Sequence, residues 1–231
     1  MSTLVDYQLD NGIAIIKLNN GKVNALSPEV IQQLNAALDQ ATADQAVVIL
    51  TGQAGILSGG YDLKVMLSGP QNALDLVAAG STLTRRMLAH PYPIIIACPG
   101  HAVAKGAFLL LAADYRMAIE GEFKIGLNEV QIGMTMHQAG LVLARDRLAP
   151  AAFQRAVINA EMFTPQAARE AGFVDQVVAP EALLESALQV AAQLKGLNMK
   201  AHRNTKLKAR ATLLADLDAA IEYDRLHGLD Q

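Results

Sequence analysis

The start of the chain alternates hydrophobic and polar residues, as a strand with one buried face does. Residues 5–9 alternate in this way, residues 10–12 (DNG) form a turn sequence, and a second apolar-rich segment follows at 13–18. This pattern predicts an N-terminal β-hairpin. A helix is predicted to begin next at Pro28, because Ser27 can cap it and proline suits a first helical turn.

The middle of the chain contains short apolar runs separated by helical patterns. Continuous apolar runs at 47–50 and 94–97 predict strands buried on both faces, and residues 115–119 predict a further strand. Helical segments are predicted at 71–89 and 107–113. This strand–helix–strand–helix–strand order predicts parallel pairing with right-handed crossovers.

Beyond residue 138 the pattern is mainly helical. The composition becomes polar and charged near Gly196, and from residue 198 onward polar helices are predicted. We therefore predict a core domain at residues 1–195 and a C-terminal helical region at 196–231. The predicted elements of the second half are helices at 140–147, 150–160, 165–171 and 180–194, with one short strand at 174–178.

The composition narrows the class of protein. A chain of 231 residues with 52% hydrophobic residues and a net charge of −3 fits one α/β domain, and its charge gives no reason to expect nucleic acid as a partner. Cys98 is the only cysteine, which excludes an internal disulfide and a C-x-x-C metal site, and an inert buried thiol is expected. Because neither a targeting segment nor an apolar run of membrane length is evident, the expectation is a cytoplasmic protein without a membrane partner.

Two glycine-containing segments are the first candidates for chemistry. Residues 57–64 (LSGGYDLK) and 99–106 (PGHAVAKG) each follow an apolar run and open a helix. Such loops present free backbone N–H groups, and two of these aimed at one carbonyl oxygen form an oxyanion hole. The alternative is an ordinary strand-to-helix turn. Lys105 is unusual at a helix N-terminus, and its side chain is expected to point to solvent if its N–H does the work.

Glu129 is the candidate acid or base. It lies in residues 126–133 (GLNEVQIG), where little polar surface surrounds it, so partial burial and a raised pKa are expected. The alternative is a solvated glutamate without a function. His137, like His90 and His101, is expected to be a hydrogen-bonded structural histidine, and no metal-ligand spacing surrounds it, so no metal site is predicted.

These motifs together resemble the crotonase superfamily, the enoyl-CoA hydratase/isomerase family, over nearly the whole chain. Residues 57–64 are similar to its F-S-A-G-A-D-L-K loop, and residues 99–106 with 113–116 (ADYR) are similar to its second loop and the strand after it. Residues 126–133 and 171–178 (AGFVDQVV) look most like the Δ3,Δ2-enoyl-CoA isomerase branch.

The resemblance implies a crotonase-like (ClpP/crotonase) α/β fold of repeated ββα units with a C-terminal helical trimerisation region, assembled as a homotrimer or homohexamer. It implies an acyl-CoA substrate bound in a bent form and no cofactor, because the CoA thioester is itself the substrate. The N–H groups of Tyr61 and Lys105 take the oxyanion-hole positions, and Glu129 takes the acid/base position. The substrate-binding positions carried over are Ser58, Gly59, Gly60, Tyr61, Leu63, Ala104, Gly106, Phe108 and His137.

The chain departs from the family pattern at four of these positions. Phe108 stands where hydratases have a second glutamate, Lys105 replaces a glycine, and Tyr61 replaces an alanine and narrows or reshapes the pocket mouth. His137 stands where the family usually has proline.

The polar C-terminal stretch at 200–210 is basic and is expected to be a solvated helix face. The functional alternative is contact between Lys206 or Lys208 and a CoA phosphate.

One carboxylate favours a 1,3-proton shift, whereas two favour alkene hydration. The leading hypothesis is therefore an enoyl-CoA isomerase of fatty acid metabolism. One alternative is an enoyl-CoA hydratase, a lyase, in which another acid such as His137 replaces the missing glutamate. The second alternative is a non-catalytic acyl-CoA-binding protein, which Lys105 and Tyr61 favour.

Overall fold

The computed structural model describes residues 3–229, and its strands form two sheets. In chain order the strands are β1 (Val5–Asp10), β2 (Ile13–Leu18), β3 (Val47–Thr51), β4 (Gly55–Ser58), β5 (Ile94–Cys98), β6 (Gly100–Val103), β7 (Tyr115–Ile119), β8 (Ile125–Gly126), β9 (Met162–Phe163) and β10 (Gln176–Val178).

Helices cover the faces of these sheets and make up most of the second half of the chain. They are α1 (Pro28–Ala43), α2 (Leu63–Met66), α3 (Pro70–Leu88), α4 (Lys105–Leu111), α5 (Gln138–Arg147), α6 (Pro150–Val157), α7 (Pro165–Ala171), α8 (Leu183–Lys195), α9 (Met199–Ala209) and α10 (Ala211–His227). Short 3₁₀ turns lie at Val130–Ile132 and Pro180–Ala182.

The large sheet has the strand order β1-β2-β3-β5-β7-β10. The predicted hairpin is confirmed, since β1 pairs antiparallel with β2, and every other pair in this sheet is parallel, as predicted. Val48 and Leu50 of β3 face the main core, whereas Val47 and Ile49 face a smaller cluster under α8. Both faces of the strand are therefore buried, which explains its unbroken apolar sequence.

The small sheet, β4-β6-β8-β9, was not predicted. The prediction that residues 99–106 form a loop is wrong for Gly100–Val103, which form the strand β6. These strands are two to four residues long, too short to carry a recognisable alternation. They complete the repeated ββα units that the resemblance implies: β3-β4, β5-β6 and β7-β8 each place one strand in each sheet before a helix follows.

The C-terminal helices pack on the body of the protein. The prediction that they are polar is wrong for α10, which lies against α3 and α5 and adds four apolar residues to the main core. Arg85 of α3 and Asp218 of α10 reinforce this contact through two 2.8 Å hydrogen bonds. The four core residues are Leu213, Leu214, Leu217 and Ala220.

Among residues 3–229, every helix is too short or too polar to cross a membrane.

Candidate active site

Three segments meet at one end of the small sheet, each directly after the second strand of a ββα unit. Gly59–Tyr61 follow β4, Ala104–Lys105 follow β6, and Glu129 lies three residues after β8. Because β4, β6 and β8 are parallel neighbours, their carboxyl ends lie at the same edge. The repeat of the fold thus brings the three predicted segments together.

The first segment presents the N–H of Tyr61. Gly60 accepts a hydrogen bond from Leu26 N at 2.8 Å through its carbonyl, and Asp62 N donates to Leu26 O at 3.0 Å. Backbone groups alternate in direction along an extended segment, so Tyr61 N–H points away from Leu26. Within residues 3–229 it donates to no acceptor.

The second segment presents the N–H of Lys105. Ala104, the residue before it, has φ +50° and ψ −121°, a backbone conformation that is strained for alanine. Lys105 begins α4, so its N–H has no partner inside the helix, and the described chain supplies none elsewhere. A strained residue holding a free N–H is typical of a functional site.

The two segments are in direct contact. Gly60 has φ +105°, and a Cβ built on it would lie 3.0 Å from the Cβ of Ala104 and 3.5 Å from Lys105 N. A Cβ on Gly106 would lie 2.2 Å from Ser58 O, so glycine is needed there for the backbones to approach. Ser58 itself is buried, with its hydroxyl donating to Asn24 O at 2.7 Å and accepting from Gly60 N at 3.2 Å.

A cavity of about 140 Å³ lies in front of these segments. Among the described residues that line it, Glu129 is the one carboxylate, and most of the others are apolar. A larger groove of about 860 Å³ adjoins it, and the two share Leu63, Met66 and Leu229 among other residues. The cavity is lined by Gly59, Tyr61, Leu63, Met66, Val77, Ala104, Asn128, Glu129, Ile132, Met134, Thr135, His137 and Leu229.

Glu129 is 7% exposed, so its expected burial is confirmed. Its Oε2 atom and the neighbouring Oδ1 atom of Asn128 are both buried without a hydrogen-bond partner among the described residues. Burial raises the pKa of Glu129 to about 7, while the charge of Lys105 opposes this rise. A carboxyl group with this pKa exchanges protons readily near neutral pH.

The side chain of Lys105 does not point to solvent, so that prediction is wrong. It is 1% exposed, and its Nζ atom donates to Thr84 Oγ1 at 3.3 Å. The helix α4 is enclosed on all sides, so a side chain at its first position has no route to the surface. Burial lowers the pKa of Lys105 to about 7, and the charge of Glu129 opposes this change.

Phe108 lies behind the cavity and packs against His137, which lines it. A Cβ on Gly140 would lie 2.9 Å from both the Cε1 atom of His137 and the Cζ atom of Phe108, so glycine makes room for this pair. Within residues 3–229 the imidazole nitrogens of His137 form no hydrogen bond, and the prediction of a hydrogen-bonded histidine is wrong here. Burial and the charge of Lys105 lower the pKa of His137 to about 3, so the ring is neutral.

Tyr61 forms one wall of the cavity with its ring. The ring packs on Gly80 of α3, where an added Cβ would lie 2.2 Å from the Tyr61 hydroxyl oxygen. That hydroxyl donates to Val77 O at 3.3 Å. Burial, and to a lesser degree the charge of Glu129, raise the pKa of Tyr61, so the phenol stays protonated.

Asp224 connects the C-terminal helix α10 to the cavity. Its carboxylate accepts hydrogen bonds from Gln138 N at 2.8 Å and Ala139 N at 3.0 Å, the first free N–H groups of α5. His137, the residue before this helix, is the N-cap but makes no capping bond of its own. A residue 85 positions further along the chain therefore caps the helix that begins at the cavity wall.

The structure separates the predicted site residues into two groups. Those on the cavity surface are Gly59, Tyr61, Leu63, Ala104, Glu129 and His137, whereas Ser58, Gly60, Lys105, Gly106 and Phe108 lie behind it. Seven further lining residues were not predicted from the sequence: Met66, Val77, Asn128, Ile132, Met134, Thr135 and Leu229. Asn128 could have been selected because it precedes Glu129, but Val77 and Leu229 reach the cavity only through the fold.

The remaining predicted side chains lie away from the cavity. The expectation that Lys206 is solvated or binds phosphate is wrong, because it is buried and its Nζ donates to Asp114 Oδ2 at 2.7 Å and His90 O at 3.0 Å. Lys208 is exposed, and its proposed contact stays a prediction. Cys98 is buried as expected, and burial raises the pKa of its thiol to about 12.

Known proteins are similar to this chain in sequence and in fold. A profile of the family described as enoyl-CoA hydratase/isomerase matches residues 8–227. The chain is 68% identical to an enoyl-CoA hydratase/isomerase family protein from Pseudomonas syringae, whose crystal structure it matches over 97% of both chains with a TM-score of 0.96.

Two further solved structures carry more specific names. The chain is 40% identical to the enoyl-CoA isomerase of Mycobacterium tuberculosis, covering 98% of this chain and 100% of that one with a TM-score of 0.94. It is 39% identical to an enoyl-CoA hydratase from Mycobacterium marinum, covering 97% and 99% with a TM-score of 0.92. Similarity of this kind therefore does not choose between the two reactions.

Proposed function

The chain belongs to the enoyl-CoA hydratase/isomerase family, and from this premise we propose that it is a Δ3,Δ2-enoyl-CoA isomerase with Glu129 as its single proton-transferring group. The observation that carries the proposal is that Glu129 is the single carboxylate that residues 3–229 place on the cavity surface. Phe108 occupies the position at which the resemblance places a second glutamate, and a phenyl ring transfers no proton.

The reaction would begin with removal of a proton from C2 of a 3-enoyl-CoA by the carboxylate of Glu129. The negative charge would then spread over a dienolate whose thioester oxygen accepts hydrogen bonds from the N–H groups of Tyr61 and Lys105. Protonated Glu129 would return the proton at C4, which gives the conjugated 2-enoyl-CoA. The near-neutral pKa of Glu129 supports both steps, because the group must first accept and then donate a proton.

We take from the family resemblance an acyl-CoA substrate, a reaction that needs no metal or redox cofactor and a setting in fatty acid metabolism. We also propose a cytoplasmic location. The homotrimer or homohexamer and the division into residues 1–195 and 196–231 are part of the same proposal.

A hydratase is the second candidate, because the imidazole of His137 lines the same cavity as Glu129 and forms no hydrogen bond to the described residues. The low pKa of His137 argues against this candidate, since a neutral imidazole has no proton to contribute as a strong acid. If His137 did supply the second proton, a His137→Ala variant would lose hydration of a 2-enoyl-CoA and keep isomerisation.

A paired assay tests the proposal. Purified protein receives a 3-enoyl-CoA and, separately, a 2-enoyl-CoA of the same chain length, and the absorbance of the conjugated thioester is followed in both. The expected result is conjugation of the first substrate without hydration of the second. Hydration without isomerisation would contradict the proposal, and CoA-ester binding without either reaction would place the protein in the non-catalytic class.

A further inference from the structure

The ammonium group of Lys105 is enclosed beside the cavity without a full set of partners. The side chain of Lys105 is 1% exposed and is one of the largest fully buried side chains among the described residues. An ammonium group has three N–H donors, and Thr84 Oγ1 is the one acceptor that the described chain offers it. The Thr84 hydroxyl directs its own proton to Ser81 O at 2.9 Å, so its oxygen accepts from Lys105.

Two aromatic rings lie close to this ammonium group. Its nitrogen lies 5.8 Å from the ring centroid of Tyr61 and 5.8 Å from that of Phe108. Aromatic faces attract a cation without neutralising it. A glutamate in place of Phe108 would instead sit beside the ammonium group and pair with it, so the phenylalanine leaves the positive charge available to other groups.

Glu129 is the acidic group that interacts with the positive charge of Lys105. The two side chains form no ion pair within 4 Å in the described structure, yet each charge shifts the proton affinity of the other. The Oε2 atom of Glu129 is buried without a hydrogen-bond partner among residues 3–229, and a hydrogen bond from the residue's own backbone N–H is the other interaction that favours the charged carboxylate. Charges separated in this way inside a protein interact strongly because little water screens them.

We propose that the side chain of Lys105 is a positioning residue: its buried positive charge holds Glu129 as a carboxylate and stabilises the enolate oxygen bound by the N–H groups of Tyr61 and Lys105. This inference rests on the proposed function. Lys105 then has two roles. Its backbone N–H contributes to the oxyanion hole, and its ammonium group adds a positive charge near that hole.

Other titratable groups face the same region, and their charges must be known before a titration can be attributed to Glu129 or Lys105. The Tyr61 phenol and the His137 imidazole both pack near the ammonium group, and both are neutral at pH 7. Asp224 of α10 is close enough to affect Tyr61, but its carboxylate is held by two backbone N–H groups of α5. Glu129 and Lys105 are therefore the pair whose charges change near neutral pH.

The experiment compares wild-type protein with Lys105→Met, Lys105→Arg and Lys124→Met. Methionine fills a similar volume without charge and suits a buried site, arginine keeps the charge, and Lys124 is an exposed lysine directly before β8. The titration of Glu129 is followed by NMR of protein labelled at the glutamate carboxyl carbon, with Glu129→Gln used to assign the signal. The pH dependence of isomerisation is recorded in parallel.

In Lys105→Met the Glu129 signal is expected to titrate higher by about one pKa unit or more, a factor of about ten in the protonation equilibrium. The rising limb of the activity profile should move in the same direction, whereas Lys105→Arg and Lys124→Met should leave the signal near its wild-type position. An unchanged signal in Lys105→Met, or an equal shift in Lys105→Arg, would overturn the inference. If the wild type isomerises nothing, the proposed function fails, but the NMR titration still decides the role of Lys105.

Discussion

The ring of Phe108 meets the imidazole of His137 edge to face, with ring centroids 5.5 Å apart and planes at 67°. This contact fills, with an apolar pair, the position at which the resemblance places a second glutamate. An apolar pair at this position fits the proposed mechanism, in which Glu129 alone transfers the proton.

Phe108→Ala is expected to lower the free energy of unfolding by about 3–5 kcal/mol, because it leaves a cavity in a closely packed region. Phe108 is fully buried and contacts both Lys105 and His137. Urea unfolding followed by circular dichroism measures the change. The matched control is Phe123→Ala, a half-buried position that should cost clearly less, and equal losses at both positions would contradict the central packing role of Phe108.

Glu129→Gln is expected to reduce isomerisation by a factor of ~10²–10⁴, the usual contribution of a general acid–base group. The amide keeps the size of the side chain but accepts no proton, so binding of a CoA thioester should be retained. Rates with a 3-enoyl-CoA and calorimetric binding measure the two effects. Glu122→Gln, at an exposed position close to β8, serves as the control. Full activity in Glu129→Gln would exclude this carboxylate as the base.

The activity of the wild-type protein is expected to depend on pH in a bell-shaped way with its maximum near neutrality. Activity rises as Glu129 becomes a carboxylate, because burial raises its pKa to about 7. It falls at higher pH as Lys105 loses its proton, because burial lowers the pKa of that amine to about 7. A kcat/KM profile from pH 5 to 10 tests this. In Lys105→Met the falling limb should disappear and the rising limb should move to higher pH, and a flat wild-type profile would contradict this expectation.

Glu129 is also expected to make the protein less stable as the pH rises from about 4.5 to about 7. Its folded-state pKa lies above the unfolded value, so the folded state binds more protons in this window and the free energy of unfolding falls with increasing pH. Glu129→Gln removes this dependence. The variant should therefore gain stability relative to wild type between pH 5 and pH 8, measured by urea unfolding at both values. A constant difference would show that Glu129 is not desolvated in the folded protein.

Asp224→Ala is expected to destabilise the protein by about 1–2 kcal/mol, as removal of a helix cap does. The variant leaves the N–H groups of Gln138 and Ala139 without their acceptor at the start of α5. Because this helix begins at His137 on the cavity wall, KM for a 3-enoyl-CoA should rise as well. Asp216→Ala, an exposed aspartate on the same helix, should change neither property. Equal behaviour of the two variants would remove Asp224 from this role.

The sequence predicted the elements whose signals are local. Strands β3 and β5 were recognisable because both of their faces are buried, and α1 because Ser27 caps it, with Val30 N donating to its hydroxyl oxygen at 3.2 Å. The strands of the small sheet escaped prediction because each spans only two to four residues. Their burial depends on neighbouring strands of the same sheet, which no short window of sequence contains.

The candidate site shows the same division. The backbone segments at 57–64 and 99–106 and the residue Glu129 were predictable, because a few adjacent residues contain the glycines and the apolar neighbours that indicate them. The environment of the Lys105 side chain was not, because Thr84 and Tyr61 reach it from other parts of the chain. Lys206 was mispredicted for the same reason, since its partner Asp114 lies 92 positions earlier.

Tyr61 and Gly80 also constrain which substitutions the protein tolerates. A Cβ at position 80 would lie 2.2 Å from the hydroxyl oxygen of Tyr61, so a side chain there collides with the ring. Alanine is a better helix former than glycine by about 0.5–1 kcal/mol, yet the ring blocks this gain at position 80. A side chain at position 80 therefore becomes acceptable only together with a smaller residue at position 61.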